Sequence, residues 1–264
     1  MNQRYIYLGT GILVLTAILI FGLSGAYREL PPAKDTPTPV ATTTDENIPE
    51  IFSDGDGTIV VTPVLDLEAL PDLDRSFVDL SITGEQRANL KLKLAEISTA
   101  LKEDPNDYYE WLNLAAYRKV SLDYAGAIEI WEFMTEVWTD DPVAYMNLAN
   151  YYHYTLHEPV RAESYYRTAM QKDPSRPDSY IELHNLYKDV YTAKRDHADD
   201  VLIEGIVANP KDVSILYTLA RYYAESRDKV NARKRYNELE AIATEIQDAN
   251  LLARIARDRA DYGL

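Results

Sequence analysis

A near-constant spacing constrains this chain more than any other feature. Ala127, Ala162, Ala198 and Ala232 lie 35, 36 and 34 positions apart. Four positions after each stand Trp131, Tyr166, Leu202 and Tyr236, and seven after each stand Met134, Ala169, Gly205 and Leu239. A second series precedes each of these: Trp111, Leu114 and Ala115; Tyr145, Leu148 and Ala149; Tyr180, Leu183 and His184; Leu216, Leu219 and Ala220. In that series only His184 replaces a small residue. Offsets of three, four and seven place residues on one helix face, so each period holds two amphipathic helices. Small residues let the two backbones approach to about 8 to 10 Å while the rings fill the space beside the contact. Recurrence in register describes a stack of like units, each covering its neighbour's apolar face.

The connections agree with this reading. Pro159 fits the first turn of a second helix, where its missing N–H would be unpaired anyway, so the helices before and after it form an antiparallel hairpin. Asp173 and Pro174 are expected to cap and begin the next helix.

These residues resemble the tetratricopeptide repeat (TPR) family, whose unit is a helix-turn-helix of about 34 residues with an aromatic, Leu, small, aromatic pattern and a closing proline. The resemblance covers roughly 104–246 in four units, at about 104–140, 141–173, 174–209 and 210–246. It departs from the family where Ala or His stands for the first-helix glycine and where no proline closes the fourth unit. It implies an all-α helical-hairpin solenoid and a protein-binding role without catalysis.

Flanking segments complete the expected organisation. Residues 1–4 are a short tail, and 5–27 contains no charged residue and is bounded by Arg4 and Arg28. That length suffices for a transmembrane helix, which needs about 20 apolar residues. An uncleaved signal anchor is favoured because the apolar run exceeds a signal-peptide core. The alternative is a cleaved, secreted soluble form, since Ser24, Gly25 and Ala26 satisfy a small-residue cleavage site. One short tail, one span and a large domain suggest a single-pass cell-membrane protein with the repeats extracytoplasmic. Residues 28–82 hold seven of the 13 prolines, and 35–84 carry 11 acidic residues against Arg75 alone, which predicts a flexible acidic linker. Within it, 58–61 is a candidate strand and 64–73 a candidate docking segment. Thr83 and Gln86 suggest a capping box for a leading helix over 83–103, buried along Leu90, Leu94, Ile97 and Leu101. A capping helix over 248–262 starts at Asp248, with Arg254, Arg257 and Arg259 facing outward.

Composition and motifs exclude several classes of function. The net charge of -16 opposes nucleic-acid binding, and the absence of cysteine removes disulfides and thiolate metal sites. His153 and His157 have the spacing of two metal ligands, but no third ligand is implied apart from Glu158, so a metal site is not expected. The Asp54 to Gly57 turn lacks the Glu that an EF-hand needs at its twelfth position, where Leu65 stands. No nucleophile with a base stands out, so no catalytic residue and no cofactor is assigned, and a metal-dependent or enzyme-associated role is the weakest alternative.

The leading expectation is a membrane-anchored scaffold or adaptor that binds a protein or peptide on the concave face lined by the first helices. The family's inward slots, carried over position by position, contain Asn150, His153, Asn185, Lys188, Tyr217 and Arg221. Of these, Asn150, Asn185, Lys188 and Arg221 form a polar, partly basic strip suited to an acidic or extended peptide. The strip resembles the family's carboxylate clamp only weakly, because Met146, Glu182 and Thr218 occupy slots where that clamp needs Lys, Asn and Arg.

Overall fold

The computed structural model describes residues 70–264 and, ahead of them, the backbone of 38–39, 51–53 and 59–61. The charge-free segment 5–27 and the Asp54 to Gly57 turn lie outside the described residues. No helix among those described is long and apolar enough to cross a membrane. The chain divides after Val137 into two compact units.

In the first unit, β1 (Thr38–Pro39), β2 (Ile51–Ser53) and β3 (Ile59–Val61) pair antiparallel in that order, with Thr38 opposite Ser53 and Ile51 opposite Val61. Three helices follow: α1 (Gly84–Glu103), α2 (Tyr108–Val120) and α3 (Tyr124–Val137). Helix α1 buries Leu90, Leu94, Ile97 and Leu101, the stripe that periodicity selects. Its expected capping box does not form, because the Thr83 side chain makes no cap hydrogen bond. Gly84 makes the turn into the helix at φ 62°, a conformation its missing Cβ permits. The Asp107 carboxylate caps α2 by accepting from the Tyr109 and Glu110 amides at 3.0 and 3.1 Å. Trp111 is buried against Phe133, with ring centroids 4.6 Å apart, and its indole N–H donates to the Pro105 carbonyl at 2.8 Å.

The linker expected over 28–82 is structured in two places, at the three strands and again over 70–82. In the latter, Leu73 and Val78 are buried, the Asp79 amide donates to the Ser121 carbonyl at 3.0 Å, and Arg87 donates to the Asp79 carbonyl at 2.8 Å. Arg118, fully buried, donates to the Asp72 carbonyl and, at 3.3 Å, to the Gly126 carbonyl. Burial lowers its guanidinium pKa, while Glu129 and Asp123 oppose that shift. A Cβ at Gly126 would collide with the Asp123 carboxylate and the Arg118 side chain, so the first turn of α3 needs glycine for close approach. The acidic composition that reads as disorder here supplies the Asp72 carbonyl to the buried Arg118, the Asp79 carbonyl to Arg87 and the Asp74 carboxylate to Lys102.

The second unit opens with the hairpin α4 (Pro142–Tyr154) and α5 (Pro159–Lys172), with Pro159 at the start of α5 as its missing N–H requires. Ala149 and Ala162 are fully buried, as is Tyr166. Helix α6 (Pro177–Asn185) starts three positions later than Pro174 predicts. Asp173 does not cap it: its carboxylate instead accepts from the Ser175 amide and hydroxyl at 3.0 and 2.6 Å, an Asx turn that leaves Pro177 to begin the helix. Further on come α7 (Ala198–Ala208), α8 (Val213–Glu225), α9 (Lys229–Glu245) and α10 (Ala249–Tyr262).

Four turns share one device. Leu122, His157, Arg227 and Gln247 each adopt positive φ, at 61°, 54°, 63° and 57°, and an acidic residue follows each one. Asp123, Asp228 and Asp248 then cap the next helix, accepting from the amides of Gly126, Asn231 and Leu251 at 3.1, 3.1 and 2.9 Å.

The hairpin between α6 and α7 departs from this pattern. A π-helical turn spans Leu186–Val190 and a 3-10 helix spans Thr192–His197. His184 is buried where the other hairpins place Ala, and its Nδ1–H donates to the Ala198 carbonyl at 2.8 Å. The imidazole takes space that a small residue leaves to the facing backbone, and the chain absorbs the longer path in a widened turn. Lys194 secures this detour by pairing with Glu163 while lying 5.4 and 5.6 Å from the Tyr187 and Tyr191 ring centres.

Helix α10 buries Leu251 and Ile255. Of the three arginines expected to face outward, Arg254 and Arg257 are exposed, while Arg259 is half-buried and turns back onto the neighbouring helix. Arg254 sits over the Tyr217 ring at 4.3 Å, and Arg259 donates to Asn237 at 2.7 Å and pairs with Glu240 at 3.0 Å.

Candidate functional site

All six residues expected to bind a partner lie in the second unit, where they fall into two neighbourhoods. The first is built on α4. Asp141 caps this helix at the Val143 amide, 3.0 Å away, which sets the register that carries Asn150, His153 and Tyr154. From α5, the buried Tyr166 donates its hydroxyl proton to Asn150 Oδ1 at 2.7 Å. That hydroxyl has one proton to give, so its 3.1 Å contact with His153 Nδ1 has the imidazole donating. His153 is therefore the Nδ1–H tautomer, with the lone pair on Nε2. Burial lowers its pKa to about 4, His157 acts in the same direction and Asp189 opposes, so the ring stays neutral near pH 7.

Tyr154 stacks on His153 with centroids 3.8 Å apart and rings inclined by 20°. Its hydroxyl donates to Glu182 on α6, and Asn185 hydrogen-bonds the same carboxylate. Burial raises the Glu182 pKa against the pull of these two bonds. Burial, followed by the negative charge of Glu182, raises the pKa of the Tyr154 and Tyr166 hydroxyls. Asn150, His153 and Asn185 thus belong to two short hydrogen-bonded chains joined by the stacked His153 and Tyr154 rings. Lys188 lies on the π turn that follows, 3.7 Å from Asp189.

Tyr217 and Arg221 belong to the second neighbourhood, on α8. The Tyr217 hydroxyl donates to Asp258 at 2.8 Å, and the same carboxylate oxygen accepts from Tyr236 at 2.9 Å. Arg221 pairs with Glu225 at 2.8 Å, and its hydrogen bond to the Tyr262 oxygen heads the causes that raise its pKa. The expected basic strip is thus neutralised at Lys188 and Arg221. An i,i+4 carboxylate is a common helix partner, and Glu225 is legible as one in the sequence.

Tyr154 and Glu182 were not expected in the site. Glu182 counts in the sequence only as a departure from the clamp pattern, although a carboxylate there reverses the charge of the slot. Among the described residues no group of three His, Cys, Asp or Glu is placed to hold a metal ion, and His157 stands exposed in its turn.

No protein-family model matches the sequence, and no curated protein does. Among solved structures the chain is similar to TTC0263, a thermophilic TPR protein of Thermus thermophilus, at 22% identity and a TM-score of 0.45, covering 65% of this chain and 90% of that one. It is similar to MamA at 18% identity and a TM-score of 0.46, covering 65% and 98%. A third is YrrB, a TPR protein with an unusual peptide-binding site, at 13% identity and a TM-score of 0.43, covering 63% and 91%. These likenesses concern the fold of the helical array.

Proposed function

We propose that this chain is a membrane-anchored scaffold that binds an extended protein or peptide segment on the first-helix faces of its repeats. The segment 5–27 anchors it, an acidic, proline-rich stretch follows, and the repeats stand outside the cytoplasm. The observation that carries the reading is the linked set on α4 and α6: Asn150, Tyr154, Glu182 and Asn185 keep part of their surface accessible, while Asn150 is bonded to the buried Tyr166, Tyr154 is stacked on the buried His153, and Glu182 is bonded to Tyr154 and Asn185. Amides and rings held in place by such bonds lose little side-chain freedom when a peptide backbone docks against them. No catalytic residue is assigned.

The test is site-specific. A photoreactive amino acid at Asn185 of the full chain in its native membrane is expected to form one dominant adduct with a partner protein. The same probe at the exposed Glu132 is expected not to form it. An adduct from Glu132 alone sinks the surface assignment. Carbonate extraction is expected to leave the protein in the membrane fraction, and a reporter fused after Leu30 is expected to be active only if it is an exported type. Release into the soluble fraction supports the second reading, a form processed near Ser24 to Ala26 that carries the same array.

A further inference from the structure

We infer that Glu182, flanked by Tyr154 and Asn185, seats a cationic side chain, lysine or arginine, of the bound segment. The inference rests on the interaction surface proposed above and assigns the charge of its occupant, which is opposite to the one the sequence suggests.

Glu182 is a partly buried carboxylate supported by neutral donors. Tyr154 and Asn185 hydrogen-bond it, and among the described residues no Lys, Arg or His nitrogen lies within 4.0 Å of it. Two buried or half-buried carboxylates in this chain do have a cation: Asp123, 2% exposed, has Arg75, and Glu163, 17% exposed, has Lys194. A partly desolvated charge without a counter-charge costs free energy, and burial accordingly raises the Glu182 pKa. An arriving ammonium or guanidinium removes that cost.

The surroundings select the same sign. Glu182 projects negative potential onto Tyr154 and Tyr166, and Asp189 onto His153. Lys188, six positions after Glu182, lies 3.7 Å from Asp189. Tyr154 is 52% exposed and backed by the neutral His153 ring, so a π face stands beside the carboxylate. A cation is attracted by both, whereas an anionic side chain would meet repulsion from Glu182 and Asp189. Arg221, the anchor an acidic peptide needs, is already paired with Glu225.

The test is selection of peptides from a library of randomised sequence on the full chain in detergent, in parallel with the Glu182→Gln and Tyr154→Phe proteins. The wild type is expected to enrich Lys or Arg over Asp or Glu at one position about tenfold, the weight of one charge-assisted hydrogen bond. Glu182→Gln is expected to abolish that enrichment while keeping the thermal midpoint at or above the wild type, which separates loss of recognition from loss of fold. Tyr154→Phe is expected to reduce it in part. Enrichment that survives Glu182→Gln, or selection of acidic peptides, overturns the assigned charge and leaves the surface standing. If the wild type selects no peptide and Asn185 gives no photo-adduct, the surface itself is wrong and this inference falls with it.

Discussion

Arg75 clasps Asp123 across 48 positions of sequence, its Nε and Nη2 donating to the two carboxylate oxygens at 2.6 and 2.5 Å. The pair ties the strap at 70–82 to the turn that starts α3, where the same carboxylate also accepts the Gly126 amide. Asp123 is 2% exposed and Arg75 is 35% exposed, so the arginine is what keeps a buried charge compensated. Arg75→Ala is expected to cost about 2 kcal/mol, less than for a fully buried pair because Arg75 is partly in water. Hydrogen exchange should accelerate over 70–82 first. Unchanged exchange there would show that Leu73 and Val78 hold the strap without the clasp.

The hairpins were legible because alternation of small and large residues leaves a periodic trace, and Ala127, Ala162 and Ala232 sit in the close contacts that their spacing predicts. The clasp was not, since two charges 48 positions apart leave no such trace and acidic composition reads as disorder. The irregular third hairpin was half legible: His184 in a small-residue slot and a spacing of 36 announce a disturbance but not a π turn. At the candidate site the amides were legible and the sign of the charge was not. Lys188 and Arg221 read as free cations along the strip, although acidic neighbours stand one and four positions away.

Trp131 lies in the core of the first unit at 4% exposure. Trp131→Ala is expected to cost about 3 to 5 kcal/mol through lost burial and the cavity left behind. Because repeat arrays are stabilised by nearest-neighbour terms, amide protection should fall in α2 and α3 far more than in α8 and α9. Equal loss in both places, measured by hydrogen exchange, would mean that the array unfolds as a single cooperative block.

Asp258 fastens α10 by accepting from both Tyr217 and Tyr236. Tyr236 is fully buried, so Asp258→Ala leaves a covered hydroxyl short of a partner, at a cost of about 1 to 3 kcal/mol. The effect should be local to the C-terminal helix: α10 amides exchange faster and limited proteolysis cuts within 249–262 before any other described helix. If α10 keeps its protection, Leu251 and Ile255 suffice to hold it.

His153 gives the second unit a defined response to acid. Its pKa falls from 6.5 to about 4 on folding, with burial as the main cause, Asp189 opposing and His157 assisting. The unfolded chain therefore binds this proton at a higher pH than the folded chain does. Stability is lost as pH drops through 6.5 and levels off below about 4. The interval corresponds to about 3 kcal/mol. The added proton goes to Nε2 and leaves the Nδ1–H bond to Tyr166 in place, so burial of the charge, not a lost hydrogen bond, carries the penalty. His184, lowered by burial as well, adds loss of the same sign. Glu182 contributes the opposite sign, since its raised pKa means the folded chain takes up that proton first. Comparing wild type with His153→Gln isolates the His153 share, because the other two groups remain in both proteins. Denaturant titrations from about pH 7 to about pH 4 are expected to show the wild type losing about 3 kcal/mol more than the variant. Parallel pH profiles for the two proteins would show that His153 takes up its proton in the fold as readily as in the unfolded chain.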